Sequence, residues 1–134
     1  NAIMPIIKTY SVKAKVSEAL IFVTEIKTSL THDYFQSGIW LKEFKEEFGK
    51  DSGNYSSYLS SFSFDGKGSI NMTFNDQEPQ LFNKTLSFRA ASISGVDSSN
   101  IVWVCGYASP PKGFSLRELN LTNIDRKHLP STCR

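Results

Sequence analysis

Cys105 and Cys133 are the residues of this chain with the most distinctive chemistry. An even cysteine count in a sequence rich in Ser, Thr and Asn suits an exported protein closed by one disulfide. The alternative is two free thiols in a reducing compartment. With only His32 and His128 to join them, the cysteines match no zinc-ligand spacing. Catalysis finds no footing either. There is no Gly-x-Ser-x-Gly elbow, and the two histidines read as surface or helix-end residues rather than general bases. Glu43, Glu46 and Glu47 cluster, but Lys42 and Lys45 interleave with them, the pattern of a solvated helix face. Gly66 and Gly68 belong to a turn, not to a phosphate-binding loop. No enzyme activity, cofactor or metal is expected. Asn-x-Ser/Thr triplets at Asn54, Asn71, Asn83 and Asn120 matter only in a eukaryotic secretory route and carry little weight. Lys8, Lys13 and Lys15 with Tyr10 form a small basic-aromatic group. It reads first as solvated helix surface, with a weak, salt-sensitive DNA contact as the alternative.

The elements that must position these residues follow from length and periodicity. A chain of 134 residues is one domain's worth, and 40% hydrophobic residues with 13% aromatics supply one modest core. Fifteen basic against 13 acidic side chains leave +2, too little for a dedicated nucleic-acid binder. Uncharged apolar stretches such as Ala19 to Val23 are far short of the ~20 residues a membrane span needs. The chain opens on Asn1-Ala2 without an initiator Met, which reads as upstream residues removed by cleavage or cloning.

Residues 1–32 read as one long helix. Val12, Val16, Leu20, Val23, Ile26 and Leu30 recur at three- and four-residue steps and form one apolar stripe. The stripe fades at Thr31-His32-Asp33. Residues 33–58 read as a surface connection carrying a short amphipathic helix on Trp40, Leu41, Phe44 and Phe48, then a turn-rich loop at Gly49–Asn54. Over 59–107 the period changes to two. Leu59, Ser61 and Ser63 alternate with Phe62 and Phe64, and Asp65-Gly66 signals a hairpin to Ile70, Met72 and Phe74. Strands at Thr85–Ile93 and Ile101–Tyr107, separated by a turn at Gly95–Asn100, complete a four-stranded antiparallel meander. The fold class is α+β, with the long helix covering the sheet's apolar face. The tail, 108–134, has little hydrophobic content. A bridge between the cysteines would pin it, contributing about 3–4 kcal/mol in the chain-entropy model.

Several of these segments together resemble the extracytoplasmic part of bacterial type IV pilins. The opening Ile3-Met-Pro-Ile-Ile-Lys-Thr-Tyr10 through Leu20 is similar to the place where that family's hydrophobic helix turns amphipathic. The Tyr58–Phe74 hairpin resembles the first two strands of its sheet. Asn100-Ile-Val-Trp-Val-Cys-Gly106 and His128-Leu-Pro-Ser-Thr-Cys-Arg134 resemble the strand and tail whose cysteines close its C-terminal loop. The resemblance implies a ladle-shaped fold with a Cys105–Cys133 disulfide bounding the tail. It also implies a missing N-terminal hydrophobic segment, whose early glutamate has no counterpart here. Two features depart from the family's pattern: a long loop between the cysteines, and a connection at Trp40–Phe48 unusually rich in charge and aromatics.

The resemblance further implies a structural subunit of a type IV pilus, supporting adhesion, twitching motility or DNA uptake. Its partners would be other pilin subunits, with an inner-membrane pool before assembly and the extracellular filament after it. The stripe from Val12 to Leu30 should dock the helix on the sheet, and the flank at Pro5, Ile7 and Tyr10 should continue into the filament core. The truncated domain alone is expected to be monomeric. Two alternatives are a minor pilin binding DNA or a host surface, and a type II secretion pseudopilin, against which the cysteines argue.

Overall fold

The computed structural model describes residues 3–48, 56–93 and 100–134, with side chains from residue 8 onward. The loop read at Gly49–Asn54, the turn residues 94–99, and the side chains of Pro5 and Ile7 lie outside the described residues. The first element, α1, runs Ile3–Ser37, about 52 Å at 1.5 Å per residue. It continues past the expected end because the buried stripe does not stop at Leu30. Four residues on, Tyr34 stacks on Trp40 with ring centroids 4.2 Å apart. Gly38, at φ 75°, then closes the helix, its N–H donating to Tyr34 O at 2.8 Å.

Five strands follow in meander order, each antiparallel to the next: β1 (Phe44–Glu47), β2 (Leu59–Phe64), β3 (Ser69–Phe74), β4 (Thr85–Ser92) and β5 (Ile101–Cys105). A two-residue β6 (Ser115–Leu116) also pairs with β4. The architecture is the α+β arrangement of a long helix on an antiparallel sheet, with two strands beyond the four read from the pattern.

The first addition, β1, replaces the short helix expected at Trp40–Phe48. Phe44 and Phe48 are four apart, a spacing that puts them on one side of a helix and equally on one face of a strand. The unpaired edge of β2 settles it. Phe44 sits opposite Phe64 and Glu46 opposite Phe62, and the ladder satisfies backbone groups that a helix would leave open on β2. Phe44 then packs edge-on against Phe62 at 5.6 Å, and Phe48 lies 5.7 Å from the same ring.

The β2–β3 hairpin forms at the expected turn. Asp65 Oδ1 accepts from the N–H groups of Lys67 and Ser69, both at 2.8 Å. Gly66 has φ 75°, and a Cβ there would lie 2.9 Å from Glu43 N, so glycine also admits the chain entering β1. One assignment of strand faces is corrected. A register shift between Leu59 and Ser61 turns Leu59 onto the same buried face as Phe62 and Phe64, rather than with Ser61 and Ser63.

Candidate assembly site

The helix–sheet joint is built from buried apolar side chains. Val12, Val16 and Val23 are fully buried, and Leu30 nearly so, against Ile70, Met72, Phe74 and Leu86 of the sheet. Ala19 is also fully buried, in line with Val12, Val16 and Val23. Leu20 and Ile26 are half-buried and pack along the flanks of the core. Near the helix's C-terminal end an aromatic cluster continues the contact. Trp40 meets Phe64 and Trp103 edge-on at 5.8 and 5.7 Å, and at mid-helix Phe22 lies 5.3 Å from Phe62.

Two polar contacts fix the helix along its length. Lys15 Nζ lies 2.9 Å from Glu78 Oε1 in the β3–β4 connection. Burial pushes the Glu78 carboxyl up. The Gln80 N–H on its other oxygen and the Lys15 ammonium outweigh this, so its pKa falls below the ordinary value. The hydrogen bond to Glu78 in turn raises the pKa of Lys15. Farther along, the Trp103 indole N–H donates to Thr31 Oγ1 at 2.8 Å. Lys15 is thus engaged, which takes one cation from the basic group read at Lys8, Lys13 and Lys15.

The tail is held by a disulfide and by a polar seam that sequence reasoning missed. Cys105 at the end of β5 is bonded to Cys133, with no free cysteine remaining. Gly106 makes the junction possible: at φ 56°, a Cβ there would stand 2.6 Å from Cys133 O. From β6, on the β3 side of β4, the chain crosses the outer face of β4. Arg89 Nη1 donates to Glu118 O at 3.1 Å, and Leu121 N donates to Ser87 Oγ at 3.0 Å. Ser87 Oγ itself donates to Asn71 Oδ1. Beyond the end of β5, Thr122 Oγ1 accepts from Ser87 N, and Asn123 exchanges two bonds with the Thr85 backbone. Asn120 Nδ2 donates to Gly106 O. The Asn120-Leu121-Thr122 triplet therefore serves as internal fastening. No local pattern marks it, because its partners on β4 lie more than thirty positions away.

Past the seam the tail reaches the helix. Ile124, Leu129 and Cys133 are buried in the core, and a 3-10 turn at Arg126–His128 packs on α1. His128, expected on the surface, is only 6% exposed. Burial first, and the neighbouring Lys127 second, lower its pKa below the ordinary value.

What remains outward on α1 is apolar in places. Tyr10 and Ile21 are 74% and 73% exposed. They border a groove of about 580 Å³ between the helix and the C-terminal residues Pro130, Ser131 and Arg134. Exposed apolar residues on the outward side of a helix already buried along its other face offer a second surface to cover.

A family model for pilin, a bacterial filament protein, matches residues 12–134. The chain belongs to the pilin family. It is 28% identical over 150 residues to the type IV major pilin protein PilE of Neisseria gonorrhoeae, a match spanning 98% of this chain and 80% of that protein. A type IV major pilin protein PilE1 of the same organism is 27% identical over 147 residues, covering 98% of this chain and 74% of the relative. As a type IV pilin, the protein is a structural subunit of a surface pilus and assembles with other pilin subunits, in a family of filament proteins rather than enzymes. Among the described residues, no helix of this pilin is long and apolar enough to cross a membrane.

Proposed function

We propose that this pilin is a major subunit, polymerising through the outward face of α1 into a filament used for adhesion, twitching motility or DNA uptake. The observation that supports this reading is the pair of exposed apolar residues, Tyr10 and Ile21, on a helix whose opposite face is already filled by the sheet. Buried Val12, Val16, Val23 and Leu30, with flanking Leu20 and Ile26, hold the helix on the sheet. Tyr10, with Pro5 and Ile7 ahead of it, continues towards the filament core. Copies of one chain joined by a heterologous, non-closing contact extend as a helical polymer, the assembly a filament requires. Before assembly the full-length protein rests in the inner membrane, and the 134-residue chain by itself is monomeric.

The experiment places Ile21→Lys in the full-length protein in pilus-forming cells. The expected result is loss of filaments while the purified domain keeps its melting temperature. Wild-type filament numbers in that strain would overturn the reading. Retention on DNA at low salt, abolished by Lys13→Gln in cells whose pili form normally, would move it towards a minor, DNA-binding pilin.

A further inference from the structure

Farther along α1 than the C-terminal groove, towards the helix's C-terminal end, helix and sheet leave a second concavity of about 520 Å³, within the range of small-molecule sites. Its walls come from one helix face and the end of β5. Thr24, Lys27, Thr28 and Thr31 line it from the helix, Trp103 lines it from the sheet, and Phe35, 47% exposed, stands at its rim. The Thr24 and Thr28 hydroxyls donate to carbonyls one turn back, at 3.0 Å each, leaving oxygen lone pairs to accept from a ligand. Thr31 Oγ1 donates to Lys27 O and accepts from Trp103, so that wall is fixed.

Lys27 is the unusual member. Its ammonium lies over the Phe88 ring, 5.0 Å from the centroid, and among the described residues no carboxylate pairs with it. Burial alone accounts for its lowered pKa, the signature of a cation that has lost water without gaining an anion. An arriving carboxylate would restore what burial removed. Aromatic rings suit the C–H face of a sugar ring, and the threonine oxygens suit its hydroxyls.

We infer that the groove between α1 and β5 is a binding site for a sugar acid, with its carboxylate on Lys27, its ring against Phe35 and Trp103, and its hydroxyls on Thr24 and Thr28. The titration uses the 134-residue chain alone, so its test is separate from that of the filament reading.

The test titrates the 134-residue chain with glucuronic acid, glucose and acetate while following the Trp103 indole and Thr28 amide signals by NMR. Glucuronic acid should shift both signals saturably. Glucose should bind at least about tenfold more weakly, as expected when a charged hydrogen bond is lost, and acetate should not saturate. Lys27→Met should erase the preference for the acid. Phe35→Ala, at an exposed position that leaves the core intact, should weaken both sugars. Equal binding of glucuronic acid and glucose, saturation by acetate at the same concentration, an absence of saturable shifts, or an unchanged preference in Lys27→Met would each overturn the proposal. Stronger shifts from an acidic peptide than from the sugar acid would overturn it in favour of a protein partner.

Discussion

The Trp103 indole on β5 donates its proton to the hydroxyl of Thr31 on α1, joining residues 72 positions apart at 2.8 Å. The bond fixes the helix where the aliphatic stripe ends and aromatic packing takes over. Replacing Trp103 with Phe removes the donor but keeps a ring. The expected loss is about 1–2 kcal/mol, read as a lower urea midpoint at an unchanged slope.

The disulfide should matter more. Cys133→Ser leaves the polar seam to hold the tail and should lower stability by about 2–5 kcal/mol. In pilus-forming cells the same substitution should reduce filament yield, counted by electron microscopy. Normal yield would separate the bridge from assembly.

Gly106 offers a third check. Its left-handed backbone and the proximity of Cys133 O leave no place for a methyl group. Gly106→Ala should cost about 1–3 kcal/mol. If its melting temperature matches wild type, the chain does not turn there as described.

Acid should weaken the fold in two stages. The pKa of His128 is lowered from its ordinary 6.5, so neutral His128 favours folding fully above that value, and the contribution fades as pH falls below it. The pKa of Glu78 is lowered from 4.5, so its contribution is present above 4.5 and lost as pH falls through its folded value. Thermal melts from pH 7.5 to 3 should show both declines, and His128→Gln should abolish the upper one alone.

How much of this was legible beforehand differs by element. The α1 stripe and the Asp65-Gly66 hairpin are written in local periodicity and turn chemistry, so neighbours in sequence suffice to read them. Phe44 and Phe48 were ambiguous because a four-residue step fits either period, and only the bare edge of β2 decided between them. Leu59 reads onto the wrong face because a single bulge shifts the parity of a strand, and nothing in Leu59-Ser60-Ser61 announces one. The seam of Asn120, Thr122 and Asn123 was invisible for another reason. A polar residue reads as solvent-facing until its distant partner is known, and Ser87 and Thr85 lie on a strand finished long before the tail begins. His128 hid in the same way, among polar neighbours, on a turn that the helix covers.

The strap over β4 also bears on how a subunit responds to force. Cys105 and Cys133 are 28 positions apart, so the covalent loop withholds roughly 95 Å of extended chain, at about 3.4 Å per residue, from any pull along the backbone. A filament under tension can lengthen by unravelling its subunits only up to that bridge. The last quarter of each chain stays as a compact bead that only reduction would let out.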